Sequence, residues 1–110
     1  MKLAIPLNEN NKNSVIAIRF ARAKYLAIVD KEQNLVDILP NPCQGISTQA
    51  GKCIIHYLIT RQEIDTIVAY EIGLKVQQIA QKNNIQLILI NEKNKSLNQL
   101  LSMMKIKNKM

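Results

Sequence analysis

Tryptophan is absent from this chain of 110 residues, phenylalanine occurs once and tyrosine three times. Single-stranded nucleic acid is usually held by stacking its bases on such rings, so a dedicated platform of that kind is not expected. Glycine is as scarce, at positions 45, 51 and 73 only. A Walker-type phosphate loop needs a Gly-rich turn ending in Lys-Ser/Thr, and a dinucleotide fingerprint needs several glycines between strand and helix, so both are excluded. Two cysteines, Cys43 and Cys53, are too few for the disulfide framework of a small secreted domain. A reducing compartment would keep them as thiols unless a metal or a redox reaction claims them. No apolar run approaches the roughly 18 to 20 residues that span a bilayer, and the start turns polar too early for the apolar core of a signal peptide. The expectation is a cytoplasmic protein with no membrane partner.

Acidic residues are few as well: eight Asp and Glu stand against fifteen Lys and Arg, a formal net charge of +7. That sign favours anionic partners, whether nucleic acid, phosphorylated ligands, acidic proteins or thiolate-rich metal clusters. Part of the excess is local, because Lys105, Lys107 and Lys109 crowd the last residues. Residues 105–110 read as a solvated basic tail. With 47% hydrophobic residues the chain has enough apolar surface for one core without metal or disulfide staples, so residues 1–104 read as a single domain.

Lys2 to Leu7 is a short apolar run stopped by Pro6 and an Asn-rich stretch, which predicts an opening strand and an exposed loop. Tyr25 to Val29 and Leu35 to Leu39 are rich in β-formers and joined by a polar turn, which predicts a hairpin. Pro40 to Gly45 then reads as a turn. From about Ser47 to Gln62 the spacing is helical, with Ala50, Cys53, Ile54, Tyr57 and Leu58 on one face and Gln49, Lys52, His56, Thr60 and Glu63 as the polar stripe. Thr66 to Ala69 predicts a short strand, Leu74 to Lys82 a helix, and Ile85 to Ile90 a strand apolar enough to be buried on both faces. Ser96 and Gln99 have capping-box spacing ahead of a last helix that buries Leu97, Leu100, Leu101 and Met104. The order is that of a ribonuclease-H-like α/β sandwich: a mixed five-stranded sheet flanked by three helices. Two-metal nuclease chemistry needs converging carboxylates, and the strands at Lys2 to Leu7, Thr66 to Ala69 and Ile85 to Ile90 carry none.

Three groups of residues carry the candidate chemistry. Arg19, Arg22 and Lys24, flanked by Phe20 and Tyr25, form a basic cluster before the hairpin; guanidinium donors form a fixed fork suited to phosphate, carboxylate or an anionic cluster, although a solvated loop has the same composition. Gly73 and Lys75 open a helix, where a cation adds its charge to free backbone amides beside Glu71. Cys43, Cys53 and His56 are suitable metal ligands, His56 being a helical neighbour of Cys53. Their spacing matches no closed site, and a core cysteine and a solvated histidine are the simpler alternative.

The stretches Lys2-Leu3-Ala4-Ile5-Pro6, Arg19-Phe20-Ala21-Arg22-Ala23-Lys24-Tyr25, Asn41-Pro42, Ile67-Val68-Ala69 and Ile72-Gly73-Leu74-Lys75, in this order, resemble the dinitrogenase iron-molybdenum cofactor family, including the NifX-like proteins and the C-terminal domain of NifB. The second stretch resembles the family's His-Phe-Gly-Arg-Ala-x-Tyr, and the likeness runs from Lys2 to about Leu101. The resemblance implies a ribonuclease-H-like fold. It also implies a carrier or accessory protein rather than an enzyme, one that handles an iron-molybdenum cofactor or its iron-sulfur precursor and passes it to an acceptor protein. Arg19 stands where the motif has histidine, and Ala21 where it has glycine, which removes a metal ligand and a backbone able to take a positive φ. The alternatives are a nucleic-acid-binding module and a protein-interaction domain without a ligand; nucleic-acid binding from charge alone would be weak and non-specific.

Overall fold

Leu3, Ile5 and Leu7 alternate with Ala4 in the first strand, β1 (Lys2–Leu7), and every residue from Leu3 to Leu7 is buried. A strand apolar on both sides belongs at the centre of a covered sheet, and β1 is the middle strand of five. On one side it pairs antiparallel with β2 (Tyr25–Asp30), which pairs antiparallel with β3 (Leu35–Pro40). On the other it runs parallel to β4 (Thr66–Ala69), and β4 runs parallel to β5 (Gln86–Leu89). The sheet order is therefore β3-β2-β1-β4-β5. The computed structural model describes residues 1–104, so the expected basic tail at 105–110 lies outside the described residues.

Pleating sends the two faces of the sheet into two cores. Ala4, Leu26, Ile28, Ile67 and Ala69 pack beneath α1 (Ala50–Arg61) and α2 (Leu74–Lys82) through Ile54, Ile55, Leu58, Val76 and Ala80. Leu3, Ile5, Ala27, Val29 and Val68 pack beneath α3 (Leu97–Met103) through Leu97, Leu100 and Leu101. The mixed α/β sandwich expected from element order is what forms.

Local chemistry explains the element ends. The Asp30 carboxylate accepts the amides of Glu32 and Gln33 at 3.1 and 3.2 Å, and Asn34 takes φ 54°, which together turn the β2–β3 hairpin. Asn84, at φ 57°, stops α2 in the manner of a C-terminal glycine, with the Ile85 amide donating to Ala80 O at 2.9 Å. Ser96 and Gln99 form the expected reciprocal cap of α3, at 3.1 and 2.9 Å.

Three expectations need correction. The first helix begins at Ala50 and not near Ser47, because Gln49 sits in left-handed backbone (φ 56°) and the carbonyls of Ile46 and Ser47 accept from the Arg22 guanidinium. The last strand lies at the edge of the sheet, paired only with β4 among the described residues, so Leu89 is 58% exposed and the run is not buried on both faces. Cys43 and Cys53 are not free thiols; they form a disulfide, with Cα atoms 6.0 Å apart. The reason lies in Asn41, a buried side chain that donates to Ala23 O at 2.8 Å and accepts the Cys43 amide at 2.9 Å, pinning the turn so that Cys43 faces α1.

Candidate anion-binding cleft

After β1 the chain leaves toward β2, and after β4 it leaves through α2 toward β5 on the opposite side. Between two neighbouring parallel strands whose connections diverge, a crevice opens at their carboxyl ends, and α/β folds bind ligands there. Here the crevice lies between the segment after β1, where Phe20–Arg22 form a single 3-10 turn, and the segment after β4. Arg19 and Glu71 join the two by a parallel backbone bridge.

Both helices of this face point their N-termini into the crevice. They can do so because Gly51 has no side chain: a β carbon there would lie 2.7 Å from Val76 Cγ2 and 3.8 Å from Ala21 Cβ. Neither helix has a side-chain cap, since Gln49 and Gly73 occupy the capping positions without such a bond. The first amides of a helix have no partner within it, so two sets of free donors and two positive dipole ends converge. The resulting cleft is about 510 Å³, and its walls include Arg19, Arg22, Lys52, Lys75, Gly73 and Glu71. Four cations thus surround one carboxylate. The ion pairs among the described residues join the N-terminal amine to Glu32 and Lys95 to Glu92, so none engages the cleft cations.

Of the residues singled out from sequence, Arg19, Arg22, Gly73 and Lys75 come together around this cleft. They are not equivalent. Arg22 spends Nη1 and Nη2 on Ile46 O (2.9 Å) and Ser47 O (3.2 Å), whereas Arg19 is exposed and makes no side-chain hydrogen bond among the described residues. Phe20 is buried in the core and Tyr25 packs against the opposite face, so neither flanks the arginines as an accessible ring. Ala21 is not among the residues with positive φ, so alanine suits its backbone. Lys52 and Gly51 were missed, although Gly51-Lys52 and Gly73-Leu74-Lys75 repeat the same signal: glycine, then a cation, at a helix start.

The proposed metal ligands do not assemble. The sulfurs of Cys43 and Cys53 are bonded to each other, Cys43 is buried, and His56 is exposed in a shallow depression that Cys53 and Lys52 also line. Among the described residues no three of His, Cys, Asp and Glu are grouped as a metal site would require. The cleft's own donors are cations and backbone amides. They suit an anion held by charge and hydrogen bonds, including a metal cluster that keeps its own ligands, and they do not suit direct coordination.

The family profile described as dinitrogenase iron-molybdenum cofactor matches residues 1–105. The chain belongs to that family. That membership supports a cofactor-binding accessory role in general and a link to nitrogen fixation. No curated relative matches the sequence. Among solved structures, the apo form of the orange protein from Desulfovibrio gigas superposes with a TM-score of 0.83 at 18% identity, covering 94% of this chain and 86% of that one. A Thermotoga protein provisionally assigned to NifB, of the DUF35 family, superposes with a TM-score of 0.68 at 17% identity over 94% and 86%. At these identities the likeness is one of fold. Among the described residues no helix is long and apolar enough to cross a membrane.

Proposed function

We propose that this protein is a non-enzymatic, cytoplasmic carrier that takes an anionic metal cluster, an iron-molybdenum cofactor or its iron-sulfur precursor, as cargo in the cleft and yields it to an acceptor protein. The observation that supports the reading is the convergence of two uncapped helix N-termini with Arg19, Lys52 and Lys75 on one opening. Helix amides and cations act together on negative charge, and the cargo's own ligands leave no coordination for the protein to supply. Holding by charge alone also permits release, since such contacts break without ligand exchange.

Titration with tetrathiomolybdate, a small dianionic metal sulfide, read by absorption and calorimetry, tests this. The Arg19→Ala/Lys75→Ala variant should bind about tenfold more weakly than the parent, a change of about 1.4 kcal/mol. The parent's affinity should fall as salt rises, because the cations are exposed and screened. Equal binding by parent and variant would sink the proposal.

A further inference from the structure

The segment from Gln44 to Gln49 reaches the cleft at Gln49, borders the neighbouring depression at Ile46 and Thr48, and is exposed along its whole length. Its own backbone bonds are few: the Gln44 amide donates to Asn41 O at 3.3 Å and the Ile46 amide to Cys43 O at 3.2 Å. Three ties hold it. Asn41 fixes its start, the Arg22 guanidinium holds the carbonyls of Ile46 and Ser47, and the Cys43–Cys53 disulfide fastens it to the first turn of α1. It ends in Gln49, whose left-handed backbone a non-glycine residue adopts only when its surroundings impose it. Gln49 lines the cleft beside the free amides of α1.

We propose that Cys43–Cys53 is a reversible redox site, reduced by a dithiol, that controls the order of this segment; on the functional reading above, it thereby controls the cleft's hold on its cargo. Two cores complete the fold on either side of the sheet, and the bond closes only a short loop of ten residues' separation. Its effect is therefore local. Cys43 is 1% exposed, whereas Cys53 is half-buried and opens onto the shallow depression shared with Lys52 and His56. An incoming thiolate thus meets the Cys53 sulfur, drawn by the charge of Lys52. It forms a mixed disulfide with Cys53 and expels Cys43 as a thiolate, which takes up a proton. The reductant's second thiolate then attacks its own sulfur in the mixed disulfide, closes a ring disulfide and releases Cys53, which is protonated in turn. The balance is one protein disulfide and one dithiol giving two protein thiols and one cyclic disulfide, with two electrons and two protons transferred. A reducing cytoplasm holds the segment open, and oxidation closes it.

The test uses the full chain, air-oxidised, reduced with dithiothreitol, and as Cys43→Ser/Cys53→Ser. Amide hydrogen exchange should be about tenfold faster or more at the bonded amides that tie the segment down, those of residues 43, 44, 46 and 53, in both the reduced chain and the variant, with the strand amides unchanged. Tetrathiomolybdate, added without reductant, should bind the serine variant about five- to tenfold more weakly than the oxidised parent, from loss of preorganisation. Unchanged exchange in the reduced chain overturns the proposal. So does a disulfide that dithiothreitol cannot reduce in the folded chain, or a loss of far-ultraviolet circular dichroism on reduction, which would make the bond a staple of the whole fold. If exchange responds but tetrathiomolybdate binds neither form, the redox site stands and the cargo reading fails.

Discussion

Removing the Arg22 side chain takes two hydrogen bonds from the carbonyls of Ile46 and Ser47, while removing that of Arg19 takes none that the described residues make. Because the Arg22 bonds are solvent-exposed, Arg22→Ala should cost about 1 kcal/mol of stability in urea unfolding, and Arg19→Ala less than about 0.5. Their effects on anion binding should run the other way, with Arg19→Ala the more damaging; equal costs in both assays would contradict this division. Gly51 gives a second residue-scale outcome. Gly51→Ala gains about 1 kcal/mol of helix propensity but drives a β carbon to 2.7 Å from Val76 Cγ2, a stiff β-branched side chain, and overpacking costs roughly 1–3 kcal/mol. Net destabilisation is expected in the parent and should shrink or reverse in a Val76→Ala background, as a double-mutant cycle would show. Arg19, Gly73 and Lys75 were legible as candidates because a cation in the loop before a hairpin and a glycine followed by a cation at a helix start are visible in the sequence. The disulfide was not, since a separation of ten residues says nothing about whether two Cβ vectors converge, and that depends on the buried bonds of Asn41.

At the scale of elements, α2 and β1 form over the residues their patterns indicate because local signals agree with tertiary placement: Asn84 ends the one, and the Asn-rich stretch ends the other, although β1 runs through Pro6, which keeps its register with Leu26. The start of α1 was illegible for a physical reason. Its periodicity extends back to Ser47, but Gln49's backbone and a guanidinium arriving from residue 22 override local preference. The burial of β5 is not legible in the sequence, because apolar content cannot distinguish an edge strand from a central one. Among the described residues α3 is the sole helix on its face, and the Ser96–Gln99 spacing that signals its capping box in the sequence forms that box in the fold. That cap also anchors the early loop, since Ser96 bridges Val15 and the Leu97 amide donates to Ser14 O at 2.9 Å. Ser96→Ala should therefore cost about 1 kcal/mol, and hydrogen exchange should rise first in α3 and around Val15. An undisturbed α3 with the same loss of stability would show that the cap acts elsewhere.

For the whole molecule, the excess of seven positive charges makes association with nucleic acid expected on electrostatics alone, and the question is whether anything converts it into recognition. Single-strand binding gains its strength from rings that bases can stack on. Phe20 is 2% exposed, and Tyr25, Tyr57 and Tyr70 are half-buried against the two cores, Tyr57 accepting from Gln62 Nε2 and Tyr70 from the Lys95 amide. Among the described residues no Phe or Tyr ring stands fully exposed on the basic side, and the exposed ring there is the small imidazole of His56 beside Lys52. Duplex DNA would meet Arg19, Lys52 and Lys75 around a concave opening sized for a small anion, so few phosphates are engaged at once. Binding should then be non-specific, with a Kd in the range of about 10⁻⁴ to 10⁻⁶ M at physiological salt, and it should weaken with a log–log salt slope of only about 2 to 3 in magnitude. Fluorescence anisotropy with labelled duplexes and single strands of unrelated sequence at several salt concentrations checks this. Nanomolar, sequence-selective binding at physiological salt would displace the carrier reading, whereas competition by tetrathiomolybdate at low salt would mean that the phosphates occupy the same cleft as the cargo.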